Sequence, residues 1–173
     1  LFSPCSAPAE PKESPAEVAK NRDAARALAT KGLELLGKKK YPDAIAHFEK
    51  AEARFHAPTH FLFMARAYRE MGKWMMAKKH YQAVIDENIP NYAPDAFHRA
   101  QADANKELSE LSSKLPKFRI SVQGGAANLV DVRVDGQRVE WQSGPIEVDP
   151  GEHIIEAVSK AGNEQTRTLK IEV

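Results

Sequence analysis

Apolar residues recur at helical spacing from about Glu17 to Leu115; after Pro116 they alternate with polar ones. This change of period from about 3.6 residues to 2 divides the chain into a helix-forming and a strand-forming part. Residues 19–38 form the first predicted helix, with Ala25, Leu28, Leu35 and Leu36 among its apolar positions and Gly37 near its end, where helices favour glycine. Pro42 opens a second helix, 42–55, because the first turn leaves an N–H unused and proline lacks only that. Its stripe is Ala44, Ile45, Phe48 and Ala51. Helix 59–71 carries Phe61, Leu62, Met64, Ala65 and Tyr68 and ends at Gly72; helices 74–87 and 94–115 follow, with breaks at Pro58, Pro90 and Pro94.

Beyond Pro116, strands are predicted at 118–122, 130–134, 137–141, 145–148, 152–159 and 165–173. Asp135-Gly136 is a hairpin signal, since that turn needs positive φ. Gly124-Gly125 reads as a hairpin or bulge, and Asp149-Pro150-Gly151 and Ala161-Gly162-Asn163 supply further turns. The expected fold is therefore α+β with two domains: N-terminal helical hairpins over residues 17–115 and a small antiparallel β-sandwich over 116–173. Residues 1–16, rich in proline and polar groups, form a leader with too little apolar matter to fold.

The helical part repeats. A shift of 33 residues superimposes Tyr41 on Trp74, Ala44 on Ala77, Phe48 on Tyr81 and Ala51 on Val84. Phe61, Ala65, Tyr68 and Gly72 give the second unit a large residue, a small one, an aromatic and a turn glycine; Leu28, Gly32 and Leu35 answer in the first. Residues 25–91 thus resemble a tetratricopeptide-repeat array, with 94–115 as a capping helix. One departure is Lys39, standing where the first unit's turn glycine belongs. In the second part, Val132-Arg133-Val134-Asp135-Gly136 and the segment Val148–Ala157, with Pro150-Gly151-Glu152 at its turn, resemble the PEGA-type β-domain. That resemblance implies a bacterial surface or periplasmic protein, in which such domains often accompany tetratricopeptide repeats.

Composition agrees with a globular protein: 173 residues, 42% hydrophobic and 28% charged, with a net charge of +1. Dividing the charges at Pro116 leaves neither part a polyanion binder, so no nucleic-acid partner is expected. No run of residues suits a membrane span. The single cysteine, Cys5, excludes an intrachain disulfide and a thiolate metal cluster.

The leader has three readings. Ala7 and Ala9 supply the small residues of a signal-peptide cleavage site. Alternatively Cys5 is a lipoprotein acylation site, a pattern that Pro4 and bulky Phe2 fit badly, or the leader is a plain polar tail. Because the chain starts at Leu1 and not at methionine, an upstream segment is expected to have been removed or omitted. Export, to the periplasm or beyond, is the reading adopted.

A search for chemistry finds none. His56 and His60 are four apart, but Pro58 lies between them and no carboxylate is spaced to complete a metal site in that turn. His47, His80 and His98 stand alone on helices, and His153 lies in a strand as part of the β motif. Gly124-Gly125 lacks the lysine and helix of a phosphate loop, Ser143-Gly144 and Ser159 lack a nucleophile motif, and Glu49 and Glu52 read as a solvated helix face. No catalytic residue, cofactor or metal is expected.

What remains is binding. In a tetratricopeptide array, resemblance implies, the first helix of each hairpin lines a concave groove for a partner peptide. The matching positions are Arg26, Ala29, Leu33 and Leu36, then Thr59, Leu62, Arg66 and Arg69. Arg66 and Arg69, with Arg26 and Arg99 nearby, suit an acidic segment or a C-terminal carboxylate over an apolar floor of Leu33, Leu36 and Leu62. Trp141 is either an anchor between the two domains or part of the sandwich core. The expected function is a non-catalytic adaptor or scaffold of the bacterial envelope. The alternatives are a self-assembling or wall-associated module, and the sensory end of a larger signalling protein. Oligomeric state does not follow from the sequence.

Overall fold

The computed structural model describes residues 14–121, 130–159 and 165–172. Cys5 and residues 1–13 of the leader, Val122, Gly124-Gly125 and the Ala161-Gly162-Asn163 turn lie outside them. Among the described residues five helices come first: α1 (Pro15–Gly37), α2 (Tyr41–Glu52), α3 (Pro58–Glu70), α4 (Trp74–Ile85) and α5 (Asp95–Lys114). The strands described after them are β1 (Lys117–Phe118), β2 (Val130–Val134), β3 (Gln137–Arg138), β4 (Ile146–Glu147), β5 (Glu152–Ser159) and β6 (Gln165–Glu172).

α1 starts ahead of the predicted residue 19 and takes in the end of the expected leader. Ser14 Oγ accepts from the Glu17 N–H (3.3 Å), while the Glu17 carboxylate accepts from the Ser14 N–H (3.0 Å). With Pro15 in the first turn this is a capping box, and it holds no large apolar residue for periodicity to detect.

The two hairpins close on matching backbones. Lys38 and Met71 have φ of −87° and −84°; Lys40 and Lys73 both have φ of −86°, with ψ of 64° and 65°. Between them, Lys39 takes φ of +57° where Gly72 takes +74°. Lysine therefore adopts the left-handed conformation that glycine reaches freely, at a cost of about 1–2 kcal/mol. The residues paired by the 33-residue shift are also buried alike. Ala44 and Ala77, Phe48 and Tyr81, and Ala51 and Val84 are all at 0% exposure.

α1 packs on α2, α2 on α3, α3 on α4, and α5 on both α4 and α3. The first helices of the successive pairs, α1, α3 and α5, consequently lie side by side. Small residues allow the approach: Gly32 and Ala65 are both buried, and a Cβ on Gly32 would sit 2.8 Å from the Phe48 ring. That ring stacks on Phe63, with centroids 5.6 Å apart.

The described strands form two antiparallel sheets, one pairing β1 with β4 and one in the order β3-β2-β5-β6. Asp135 (φ +50°) and Gly136 (φ +77°) make the β2–β3 turn, both in the positive region that a tight hairpin needs. Val132, Val134, Val148 and Ile155 form the core, with Phe118, Ile146 and Trp141 packed against it. Trp141 thus belongs to the β part's own core. The helical and β parts meet where the Met75 N–H donates to Asp149 Oδ1 (2.6 Å) and where Lys78 pairs with Glu147, which also takes Lys117 at 3.0 Å. Among the described residues no helix is long and apolar enough to cross a membrane.

The close packing at Gly32 generates a paired prediction. Overpacking costs about 1–3 kcal/mol, which outweighs the roughly 1 kcal/mol that alanine gains over glycine within a helix. Gly32→Ala should therefore lower the urea midpoint. Gly37→Ala, with nothing within 4 Å of its Cβ, should leave it unchanged or raise it slightly. Equal responses from the two variants would contradict the packing described.

Candidate partner-binding groove

The side-by-side placement of α1, α3 and α5 leaves a trough along their shared face. One stretch, of about 430 Å³, is lined by Arg26, Ala29, Thr30 and Leu33 of α1, by Thr59, His60, Leu62, Phe63 and Arg66 of α3, and by Ala96, Arg99, Ala100 and Asp103 of α5. A second, of about 520 Å³, adds Arg22, Ala25, Phe55, Ala57, Pro94 and Phe97. The two share Arg26, Ala29, Thr59, His60 and Ala96 and so form one continuous depression, apolar in its depth with basic side chains at its rim.

The arginines fall into two groups. Arg66 Nε donates to Glu107 Oε1 and Oε2 (2.9 and 3.2 Å), and its Nη2 reaches Asp103 Oδ2 at 2.8 Å. Its guanidinium also lies 5.4 Å from the Phe63 ring centroid. Arg69 lies 3.4 Å from Glu107 and 3.6 Å from Glu70. The Tyr81 hydroxyl donates to Glu107 Oε2 at 2.7 Å. Burial alone would raise the Glu107 carboxyl, but hydrogen bonds from Arg66 and Tyr81 and the two arginine charges hold it below its ordinary value. The same burial, with the bond to Glu107, pushes the Tyr81 phenol well up. Arg22, Arg26 and Arg99, by contrast, are exposed and have no carboxylate partner among the described residues.

Of the residues expected to meet a partner, the fold brings Arg26, Leu33, Leu62 and Arg66 to the trough, together with Thr59, Ala29 and Arg99. Leu33 stands exposed at 41%, whereas Leu62, at 3%, is floor. Leu36 does not join them, because it turns inward against the core shared with α2 and α3. Arg69 is likewise absent from the lining, its charge directed to Glu107. Arg66 lies in the trough, but its Nε and Nη2 are engaged by Glu107 and Asp103 of α5.

One end of the trough carries a cluster that the histidine spacing alone does not reveal. Glu52, at the end of α2, accepts from His60 Nδ1 (2.9 Å) and the Ala57 N–H (3.2 Å) and also bonds His56 Nδ1. His56 Nε2 reaches Glu87 at 2.9 Å. Glu52 is thus no solvated carboxylate, and two carboxylates do reach the turn, one from the last turn of α2 and one from beyond α4. Burial would raise Glu52 and lower His56; the bonds from His60 and His56 outweigh it and leave Glu52 lowered, and the bonds to Glu52 and Glu87 leave His56 raised. Each carboxylate is engaged by hydrogen bonds, and among the described residues no three His, Cys, Asp or Glu side chains are arranged to hold a metal ion. His80 is packing material: it stacks on Tyr68 (5.2 Å) and Phe61 (5.7 Å), and burial lowers its pKa.

No protein-family model, curated protein or solved structure matches the chain.

The two groups of arginines should respond differently to neutralisation. Arg66→Met leaves Glu107 half-buried and short of its main partner, which should destabilise by about 1–3 kcal/mol. Arg26→Met should change stability by less than about 0.5 kcal/mol. Chemical denaturation measures both; a neutral Arg66→Met would show that the Glu107 cluster does not hold α5.

Proposed function

We propose that this chain is a non-catalytic adaptor of the bacterial cell envelope, whose helices act as a short tetratricopeptide-like array and hold an extended segment of a partner protein in the α1/α3/α5 trough. The β part is read as a separate PEGA-like domain, its two sheets forming the layers of a small sandwich that positions the adaptor. Export to the periplasm or beyond rests on the Ala7-x-Ala9 pattern and on the likeness of Val148–Ala157 to that domain.

The observation that carries the binding reading is the contrast within the trough. Arg22, Arg26 and Arg99 have no carboxylate partner among the described residues and line the trough with Leu33, Phe63 and Phe97. An uncompensated guanidinium beside apolar surface suits a ligand with both a carboxylate and a large apolar side chain. The partner segment is therefore acidic, with one bulky apolar residue near its carboxylates. Arg66, whose Nε and Nη2 are held by Glu107 and Asp103, contributes less free charge than Arg22, Arg26 and Arg99.

A second reading, self-assembly, draws on β6. It is an eight-residue strand at the edge of its sheet, and such an edge can template pairing with another chain. Sedimentation velocity separates the two: adaptors remain monomeric while binding peptide, and assemblers grow with concentration.

To test the adaptor reading, a displayed library of acidic peptides is selected on the wild-type chain and the binders are measured by fluorescence anisotropy. Affinity should weaken with salt, and Arg26→Glu combined with Arg99→Glu should cost at least about tenfold with the helical circular dichroism intact. Selection of no acidic binder, or an unchanged affinity in the double variant, would reject the site.

A further inference from the structure

His153, on β5, is 7% exposed and lies between two acceptors. Its Nδ1 is 2.6 Å from Asp135 Oδ2 in the β2–β3 turn, and its Nε2 is 2.7 Å from the Asp149 carbonyl oxygen between β4 and β5. A carboxylate and a carbonyl only accept, so both ring nitrogens must carry hydrogen for both contacts to be bonds. The arrangement is that of the imidazolium.

Each acceptor is tied further into the fold. Asp135 Oδ1 accepts from the Ile154 N–H (2.9 Å), and the Asp135 N–H donates to the Ile154 carbonyl (2.8 Å). Asp149 Oδ1 accepts from the Met75 N–H at 2.6 Å, in the first turn of α4. The residue before α4, Lys73, makes no side-chain cap, so Asp149 caps this helix from the β part. A helix start is electropositive, which favours the carboxylate there. One chain of hydrogen bonds therefore runs from Asp135 through His153 and the Asp149 turn to α4.

We propose that His153 is a pH-dependent latch between the β part and α4, closed while both ring nitrogens are protonated and released when one proton leaves. A neutral ring would turn a lone pair toward either the Asp135 carboxylate or the Asp149 carbonyl, and the turn that caps α4 would lose its hold.

The charged groups that act on the ring are Asp135 and Asp149. From β6 the residue in register is the uncharged Ile171, and from β2 the core neighbours are Val132 and Val134. Glu152 belongs to the opposite face of β5, in register with Glu172. Burial would lower the pKa of His153; the bonds to Asp135 and the Asp149 carbonyl outweigh it and raise it above the ordinary 6.5. The bond from the Ile154 N–H, and then that from His153, lowers Asp135 below 3.8. A raised folded value means that the latch contributes fully below about 6.5 and is lost as pH rises through the folded His153 value. At the acid end its contribution is lost as pH falls through the lowered Asp135 value.

The test follows the Met75 amide by hydrogen exchange in the full chain, corrected for intrinsic rates, alongside NMR titration of the His153 ring. Protection of Met75 should fall by about tenfold as His153 loses its proton, while core amides of α3 keep theirs. His153→Gln, which cannot donate both bonds, should abolish the step. Asp135→Asn, which leaves the histidine in place, should move the ring titration and the Met75 step together toward lower pH. A Met75 protection that ignores the His153 titration, a step shared with the α3 core, or a step unmoved in Asp135→Asn would overturn the latch.

Discussion

The Glu107 carboxylate is the point on which the helical part turns. It receives hydrogen bonds from Arg66 and Tyr81 and the charge of Arg69, and so ties α5 to both α3 and α4. The hydrophobic core alone would hold α5 less specifically, since two of its three buried members from α5, Ala100 and Ala104, are small. The ionic cluster is directional, and directional contacts fix how far a helix may slide or rotate. With α5 fixed, α1, α3 and α5 share one face, and the trough has a defined third wall.

That same cluster decides which cations a partner would meet. Arg66 and Arg69 of the second repeat unit are paired with carboxylates within the fold, and the trough arginines with no carboxylate partner among the described residues lie on α1 and α5. Charge available for recognition is thus set by tertiary contacts and not by the number of arginines along the helices. The geometry places the basic rim beside Phe97, Phe55 and Leu33, so electrostatic attraction and apolar burial would act on neighbouring atoms of one ligand.

Much of the fold was legible because it rests on local rules. Small and aromatic residues repeating at 33 positions marked both hairpins, and Asp135-Gly136 marked its turn, since both residues need positive φ. Lys39 shows the limit of such rules: the repeat required a left-handed residue there, and the fold imposes it on lysine. The site was half legible. Helical register brought Arg26, Leu33, Leu62 and Arg66 to one face, but it carries no information on what each side chain meets. The partners of Arg66 lie 41 and 37 positions away on α5, and Glu87 lies 31 from His56. Leu36 and Arg69 satisfied the same register as the others and were turned aside by neighbours that no local pattern names. The start of α1 escaped for the opposite reason, its signal being a capping box among prolines and polar residues, not an apolar stripe.

The division between engaged and open arginines is what the trough depends on. It is read most directly from solvent exchange of the arginine Nε–H protons by ¹⁵N-resolved NMR. Arg66 should exchange slowly, its Nε–H held by Glu107, while Arg22, Arg26 and Arg99 exchange at the rate of free arginine. If Arg66 exchanged as fast as Arg26, α5 would not be fixed through Glu107, and the groove built on it would not exist as described.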